Sequence, residues 1–462
     1  MGRAQTRNEA DTMGEVAVPA WAYWGAQTQR AVENFGVSDK RIPRQLIRAL
    51  GLIKQFAAHT NAELDLFEQE LADAITQAAA EVSDGQWDQH FPIDVFQTGS
   101  GTSWNMNANE VIANRANEIL GQSLGSKHPI HPNDHVNRGQ SSNDVIPTAV
   151  HIANRMAAEA LVTVLKELHQ ALAAKTKQFQ QVLKIGRTHL QDAVPLTLGQ
   201  EFSGYAEQVK KSGQRLRNAL PHLEELALGG TAVGTGLSCH PEFASRTIRK
   251  IADSTGFAFR GASNRFEALA ARDAQAELMG VLATISGSLM KIANDLRILA
   301  SGPRAGLGEI VLPSLQPGSS IMPGKVNPVI PEMVVQVAAF VMGKNLAVGI
   351  GSQSAPLELN IMMPLIAYET QTALEVLTNT CRAFKERCIE GIQADEQRCR
   401  QWIEWSLALV TPLAAKIGYD RAAELAYEAY RQKKTIRQVL LEQEVLPEEQ
   451  IDQILDPQGM LG

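Results

Sequence analysis

Apolar residues recur along the chain at spacings of three and four, the periodicity of helices that bury one face. The strongest series follows a heptad seam and consists of Leu278, Leu282, Ile285, Leu289, Ile292, Leu296 and Leu299. A second series, interrupted by Lys175, consists of Leu161, Leu165, Leu168, Leu172 and Phe179. Residues 333–348 and 364–384 are also rich in Ala, Val and Leu. Several long helices in one central region predict a helical bundle.

Glycine and proline concentrate between these segments rather than inside them, as expected for connections between helices. The clusters are at 97–102, 128–142, 186–199, 229–236 and 302–328. A loop as long as 302–328 is unusual in a compact domain and is usually functional or disordered. After about residue 395 the chain becomes polar and charged, which indicates a small C-terminal helical domain. No series of alternating strands supports a parallel sheet.

Composition narrows the class of protein. The chain has 462 residues, of which 44% are hydrophobic and 20% are charged, and its net charge is -7. A negative balance argues against broad nucleic-acid or membrane-surface binding. No uninterrupted apolar run reaches the roughly 18 residues of a membrane span, and the N-terminus resembles neither a signal peptide nor a transit peptide. Four cysteines without a CxxC pair suit a reducing compartment, so we expect a cytoplasmic protein.

The stretch "GSSIMPGKVNPVIPE", residues 318–332, superficially resembles a phosphate-binding loop. Five residues rather than four separate Gly318 from Gly324, and Val326 stands where that motif requires Ser or Thr. A nucleotide loop is therefore excluded. The polar residues that remain are suited to a carboxylate, because lysine supplies a positive charge and asparagine a hydrogen-bonding fork. They are Ser319, Ser320, Lys325 and Asn327.

Three further segments carry similar chemistry: "QTGSGTSWNMNANE" at 97–110, "GQSSNDVIPTA" at 139–149 and "GRTHLQDAVPLTLGQEF" at 186–202. Their candidate side chains are Ser100, Thr102, Ser141, Ser142, Asn143, Thr188 and His189. Hydroxyls and amides beside glycine or a helix N-terminus can bind an anion, although each cluster alone could equally be a helix cap. A histidine can transfer protons near neutral pH, although a single one is more often structural. Together the clusters predict a pocket for a small polyanion.

The segment "KHPIHPNDHVN", residues 127–137, looks at first like a metal site. Its two prolines prevent helical ligand spacing, and no HExxH motif is present. A nucleophile elbow and a dinucleotide fingerprint are absent as well. We therefore expect neither a metal nor a cofactor.

These blocks, in this order, resemble the fumarase/aspartase superfamily, and "DTMGEVAVPAWAYWGAQTQRAVENF" and "GGTAVGTGLSCHPEF" resemble its class II fumarase branch. The resemblance covers residues from about 11 to 462. It implies a mainly all-α fold with a central bundle of long helices, in a homotetramer whose subunits form one large helical core. It also implies three domains, for which we expect residues 1–138 (mainly helical), 139–395 (the long-helix bundle) and 396–462 (a small helical domain).

The resemblance implies reversible anti hydration of fumarate to L-malate, a step of the tricarboxylic acid cycle, by an enzyme that needs no metal. It assigns Ser319 as the base that removes the C3 proton of malate, and His189, paired with Glu332, as the group that acts on the water. Substrate carboxylates would be bound by Ser100, Thr102, Ser141, Ser142, Asn143, Thr188, Ser320, Lys325 and Asn327. Blocks from three different subunits would assemble each active site.

A second, non-catalytic dicarboxylate site is implied at His131, Asn133 and Asp134, although His135 stands where an acidic residue is common. Two alternative functions remain open. Aspartate ammonia-lyase uses the same scaffold, but Gly324, "WGAQTQRA" and "GGTAVGTG" favour fumarase. A structural member without activity would not need to retain Ser319, His189 and Lys325 together.

Overall fold

The structure is a computed structural model that describes residues 5–461. The predicted all-α class is confirmed, since 63% of the chain is helical and little is strand. The helices, α1 to α16, are Ala26–Asn34, Arg44–Glu63, Gln69–Ser83, Thr102–Ile119, Ser142–Gln178, Leu198–Ala219, Phe243–Thr255, Arg265–Ala270, Asp273–Leu299, Val329–Ser352, Met363–Arg387, Glu396–Trp405, Val410–Ile417, Tyr419–Gln432, Ile436–Glu442 and Glu448–Leu455.

The described strands form small two-stranded sheets. The strands, β1 to β8, are Thr6–Asp11, Gly14–Pro19, Leu183–Thr188, Gln191–Thr197, Glu225–Leu226, Arg260–Gly261, Ile310–Val311 and Gln393–Ala394. They pair as β1 with β2, β3 with β4 and β7 with β8, all antiparallel, and as β5 with β6, which is parallel. The turn of the β3–β4 hairpin carries a predicted catalytic residue.

The two predicted apolar series are confirmed as buried helix faces. All seven side chains of the 278–299 series are buried within α9, and the five of the second series are buried in and just after α5. Lys175, which interrupts the second series, is buried as well. Its Nζ donates to Gln178 Oε1 at 2.9 Å and to the carbonyl of Ile392 at 2.8 Å. These bonds supply the polar partners that a buried ammonium requires.

Chain contacts group the protein into two compact units, each built from three separate segments. The first comprises residues up to 162, 214–284 and 339–377, and the second comprises 163–213, 285–338 and 378 onward. Because α5, α6, α9, α10 and α11 contribute residues to both, these units do not follow the sequence. The three-domain division into 1–138, 139–395 and 396–462 stays a prediction, and its first domain begins four residues before the described part of the chain.

Each unit has its own apolar core. In the first, α2 packs against α3, α4 and α7, and Leu46, Leu50 and Ile53 form its fully buried face at helical spacing. In the second, α13 to α16 enclose a cluster that includes Leu425 and Leu440. The cores position the polar segments, which lie at the ends of helices or in the loops between them.

Two of the described helices are long and apolar enough to cross a membrane by length and composition alone, α9 and α10. Half of the relevant stretch of α9 is buried, whereas only 28% of that of α10 is. One or two such helices are weak evidence, since core helices of soluble proteins pass the same test, and they do not indicate a membrane protein. The exposed apolar side chains of α10 still require an explanation.

Candidate functional site

The first polar cluster lies at the N-terminus of α4. Gly101 precedes the helix with a left-handed φ of 72°, and Thr102 is the first helical residue. The hydroxyls of Ser100 and Thr102 are hydrogen-bonded to each other at 2.7 Å. The start of a helix concentrates unpaired backbone N–H groups and the positive end of its dipole. Two hydroxyls at that position can therefore bind an anion.

The second cluster forms the N-terminus of α5 and is held by a carboxylate that sequence reasoning missed. Asp144 is fully buried and accepts hydrogen bonds from the backbone N–H groups of Ser141, Gly229 and Thr231, each at 2.9 Å. Burial raises the pKa of Asp144, against the effect of these donors. Asn143 adds a bond from Nδ2 to the carbonyl of Ala232 at 2.8 Å. The start of α5 is thereby fixed to the 229–232 loop.

A buried lysine stabilises the same cluster through hydrogen bonds. Lys54 of α2 donates from Nζ to Asn137 Oδ1 and Gln140 Oε1, both at 2.9 Å. Asn105 of α4 continues the network, because its Nδ2 lies 3.2 Å from Asn137 Oδ1 and 3.0 Å from Ser142 Oγ. Burial lowers the pKa of Lys54 to about 7, while the charge of Asp144 acts in the opposite direction. Ser142 is therefore positioned by side chains from two other helices.

The third cluster lies on the β3–β4 hairpin. β3 ends at Thr188 and β4 begins at Gln191, so His189 and Leu190 form a two-residue turn. Both have positive φ, 56° and 60°, as a type I′ turn requires. Non-glycine residues in this region are uncommon and often mark functional sites. The turn holds the exposed His189 side chain at the tip of the hairpin.

A buried ion network anchors the base of this hairpin. Glu309, which is fully buried, accepts from Arg187 at 2.9 Å and lies 3.3 Å from the ammonium of Lys184. Lys184 also pairs with Glu201 of α6 at 2.7 Å. Buried charges that are mutually paired hold a defined geometry, and removing one partner is costly. The network therefore fixes the direction in which the hairpin projects.

The fourth cluster is the loop that leads into α10. Gly318 N donates to the carbonyl of Lys325 at 2.7 Å, and Asn327 Nδ2 donates to the carbonyl of Gly318 at 2.6 Å. A Cβ at position 318 would lie 2.7 Å from the Lys325 oxygen, so only glycine permits this closure. Ser319 Oγ accepts from the backbone N–H groups of Ile321 and Met322, at 3.2 and 3.0 Å. Two donors thus converge on one serine oxygen.

The remaining residues of this loop are positioned around that turn. Lys325 is exposed and makes no ion pair within residues 5–461, and Ser320 is exposed as well. Glu332 lies in the first turn of α10 and is half-buried. The loop therefore presents an uncompensated ammonium close in sequence to a serine that receives two N–H donors.

Each predicted cluster is local, and the clusters divide between the two compact units. Residues of the α4 and α5 starts belong to the first unit, whereas the hairpin and the 318–332 loop belong to the second. Hydrogen bonds join the α4 and α5 clusters through Asn105 and Ser142. The roles predicted for these residues remain predictions.

The predicted second dicarboxylate site lies in the short π-type turn Pro132–Val136. His131 caps this turn, since its Nδ1 accepts from the backbone N–H groups of Asn133 and Asp134 at 3.3 Å. The backbone N–H of His131 donates to His135 Nδ1 at 2.8 Å. An accepting Nδ1 leaves Nε2 as the donor of the neutral ring. Asn133 and Asp134 are exposed to solvent, and Asp134 Oδ2 lies 3.3 Å from His131 Nδ1.

The burial of Lys54 can be tested by the pH dependence of the protein's stability. Above about pH 7 the folded protein releases the Lys54 proton that the unfolded chain retains up to its ordinary value of 10.5. The stability of the protein relative to Lys54→Met should then be flat below pH 7 and rise by about 1.4 kcal/mol per pH unit above it. Thermal unfolding of both proteins from pH 6 to 9 measures this difference.

The same substitution at the exposed Lys416 is the matched control and should give a difference that does not change with pH, because that side chain is solvated in both states. A constant or falling difference for Lys54→Met would show that Lys54 does not lose its proton in the folded protein.

Comparisons with known proteins agree along the whole chain. A family model described as Lyase matches residues 14–343, and one described as Fumarase C C-terminus matches residues 409–462. A fumarate hydratase class II from Methylorubrum extorquens is 50% identical over 459 residues, covering 99% of this chain and 97% of the relative. The mitochondrial fumarate hydratase of Rattus norvegicus is also 50% identical, covering 99% of this chain and 90% of the relative.

Solved structures give the same result. The class II fumarase from Schistosoma mansoni superposes with a TM-score of 0.94 at 40% identity and covers 98% of both chains. The Brucella melitensis fumarate lyase:delta crystallin bound to cobalt has a TM-score of 0.95 at 44% identity and covers 99% of both. Because these similarities span nearly the full length at high identity, the chain belongs to the class II fumarate hydratase family of lyases.

Proposed function

We propose that this protein catalyses the reversible hydration of fumarate to L-malate in the cytoplasm, as a step of the tricarboxylic acid cycle and without a metal or cofactor. Family membership supports this function. The observation that carries it is the 318–332 loop, in which two N–H groups donate to Ser319 Oγ and Lys325 has no counter-ion among residues 5–461. Both features suit proton abstraction next to a carboxylate.

The substrate carboxylates bind to donors that lie at helix starts or in tight turns. Ser100, Thr102, Ser141, Ser142 and Asn143 supply them from the starts of α4 and α5. Prepositioned donors need little rearrangement when charge develops, which is the main source of catalysis by electrostatic stabilisation. Thr188, Ser320, Lys325 and Asn327 complete the set. Asn327 uses one hydrogen of its amide on Gly318, so the other and its Oδ1 remain for a ligand.

In the direction from malate to fumarate, Ser319 removes a proton from C3. The C3–H bond breaks, the proton goes to Oγ, and the electron pair moves into the adjacent carboxylate. This group then carries two negative charges as an aci-carboxylate. Lys325 and Asn327 stabilise the developing charge, because a positive charge and amide donors are aimed at its oxygens.

In the second step the electron pair returns to form the C2–C3 double bond, and the C2–O bond breaks. His189, paired with Glu332, gives a proton to the departing hydroxide, which leaves as water. Solvent accepts the proton of Ser319 and restores that of His189, so the balance is malate to fumarate plus water. The reverse sequence hydrates fumarate.

A serine base is unusual because a free hydroxyl ionises only at high pH. Lowering its pKa by about 6 units requires about 8 kcal/mol of preferential stabilisation of the oxyanion. The N–H groups of Ile321 and Met322 supply part of it, since hydrogen bonds to a charged acceptor are stronger than those to a neutral one. Exclusion of water by a closed loop adds to it. The 318–328 segment is therefore proposed to act as a lid.

The site is proposed to form between copies of the chain in a homotetramer. Large apolar side chains from the middle of α10 to its C-terminal end are exposed in the single chain, with Phe340 at 49%, Leu346 at 67% and Ile350 at 57%. An apolar patch of this kind on a soluble protein marks an interface. Packing of α10 against other copies would bury it in a common helical core. The same association allows three subunits to contribute to each active site.

We also propose domain boundaries and a second ligand site. The chain divides into domains at about 1–138, 139–395 and 396–462. A second, non-catalytic dicarboxylate site is formed by His131, Asn133 and Asp134, with the His131 ring holding the backbone of the other two residues in place.

Substrate choice tests the proposed reaction directly. The purified protein should form fumarate from L-malate, measured by the ultraviolet absorbance of fumarate, and should give no measurable fumarate from L-aspartate at the same concentration. Faster reaction with aspartate would identify an ammonia-lyase. Loss of both activities in a protein that still assembles and binds dicarboxylates would identify a structural member.

The role of Ser319 is tested by Ser319→Ala. Removing the general base should lower kcat by about a hundredfold to ten-thousandfold and leave thermal stability nearly unchanged, because the side chain is on a loop. Ser314→Ala in the same loop is the matched control, since Ser314 is exposed and not part of the candidate site. Near-normal turnover by Ser319→Ala would remove Ser319 from the mechanism.

A further inference from the structure

A separate cavity of about 480 Å³ lies within the first compact unit. It is bordered by the beginning of α5, by β5 and by the segment from α8 to the first turns of α9. Residues assigned to the proposed active site do not line it. Its size lies within the range of small-molecule sites.

The wall of this cavity contains polar groups that lack partners. Arg272 is only 2% exposed, and among the described residues its Nε and Nη1 have no hydrogen-bond partner. Its Nη2 donates to the carbonyl of Ala268, and no carboxylate lies within 4.0 Å of its guanidinium in residues 5–461. Burial lowers the pKa of Arg272 to about 10, so the group is still charged at neutral pH. A buried cation with two of its three nitrogens unpartnered is costly.

Two neighbouring side chains share this property. Gln275 lies in the first turn of α9, just after Arg272. It is fully buried, and neither its amide nitrogen nor its side-chain oxygen has a hydrogen-bond partner. His151 of α5 has an unpartnered Nδ1, and burial lowers its pKa to about 3, so its ring is neutral at physiological pH. Native proteins rarely leave several buried polar groups unsatisfied at one place. Their combination indicates a ligand with a planar anionic group, since a guanidinium and an amide match a carboxylate.

The remaining charges define the rest of the ligand. Glu277 is paired with His222, and Glu225 with Arg260 at 3.0 Å. Glu267 and Asp273 line the cavity, are exposed, and form no ion pair within the described chain. The carboxylates that line the cavity therefore outnumber its one permanent cation, Arg272. A dicarboxylate would be repelled, whereas a ligand that carries both a carboxylate and an ammonium would be neutral overall and complementary to both groups.

The apolar part of the wall accommodates a side chain. Five alanines, Ala227, Ala262, Ala268, Ala271 and Ala274, line the cavity together with Pro147. Such a surface stabilises an apolar group by removing it from water.

We propose that this cavity binds a free α-amino acid with an apolar side chain, its carboxylate on Arg272 and Gln275 and its ammonium group toward Glu267 and Asp273. The site is distinct from the dicarboxylate sites and does not depend on the proposed reaction. Its ligand differs from fumarate and malate in charge.

Isothermal titration of the assembled protein with L-leucine and L-phenylalanine tests this site, in a buffer with saturating malate and fumarate already at equilibrium, which keeps the dicarboxylate sites filled. Binding of one amino acid per chain is expected. Two analogues of leucine separate its charged groups: 4-methylpentanoate lacks the ammonium and 3-methylbutylamine lacks the carboxylate. Both should bind at least about tenfold more weakly than leucine, because each loses one of the two charge contacts.

Variants assign the contacts. Arg272→Gln should weaken leucine binding by about tenfold or more. The exposed pair Glu267→Gln and Asp273→Asn should weaken leucine binding but leave 4-methylpentanoate unchanged or tighter, and should not alter turnover of malate. Asp253→Asn, an exposed acid away from the cavity, is the control. Since Arg272→Gln could disturb folding, the exposed pair keeps the test independent of it.

The proposal is overturned if neither amino acid binds at 10 mM, about the weak limit of this measurement, or if binding is indifferent to both Arg272→Gln and the exposed pair. It is also overturned if a crystal structure of the assembled protein shows a side chain from another copy paired with Arg272 inside the cavity.

Discussion

In the proposed assembly, the exposed apolar face of α10 is the constraint on which subunit association and the active site both depend. Phe340, Leu346 and Ile350 remain largely exposed in the single chain, although α10 is among its most apolar helices. Burying them against other copies gains roughly 25 cal/mol for each Å² of apolar surface removed from water. The proposed association would explain why polar side chains that suit one ligand are distributed over separate blocks. A site that needs several copies can draw each block from a different chain.

Each block is held rigid by polar groups that are not themselves proposed to touch the substrate. Asp144 fixes the start of α5 to the 229–232 loop through three backbone donors, and Lys54 supports Ser142 through Asn137 and Asn105. Glu309 performs the corresponding task beneath the His189 hairpin. Catalysis by positioned donors requires this rigidity, because small misplacements of reacting groups reduce the rate steeply. The local geometry of each block is thus set within one chain even if the complete site is not.

Sequence patterns predicted the elements with strong periodicity and local chemistry. The seam from Leu278 to Leu299 was predictable because an apolar residue at every third or fourth position has few alternatives to a buried helix face. The loop between α9 and α10 was predictable from its glycines and prolines. The roles of Asp144 and Glu309 were not, because their partners are far away in sequence. Lys54 did leave a signal, a lysine within the apolar run of α2, but only the fold shows that Asn137 and Gln140 receive it.

The compact units and the cavity beside Arg272 could not be predicted from the sequence for a related reason. Helices such as α5 and α9 contribute to both units, so no change of composition marks the boundary. Arg272, just before α9, and Gln275, in its first turn, look like ordinary polar positions at a helix start, and only burial with unpartnered polar atoms distinguishes them. The sequence thus identifies candidate functional residues more readily than it identifies their burial and their hydrogen-bond partners.

The most direct test of the shared site is to mix two inactive variants, His189→Asn and Ser319→Ala, after dissociating both and allowing them to reassemble together. If the two residues of one site come from different chains, random mixing in equal amounts leaves about one quarter of the sites with both native side chains. The mixture should then recover about a quarter of the native rate of malate dehydration, while each variant treated alone stays inactive. A mixture as inactive as its parents would contradict a site assembled from different copies.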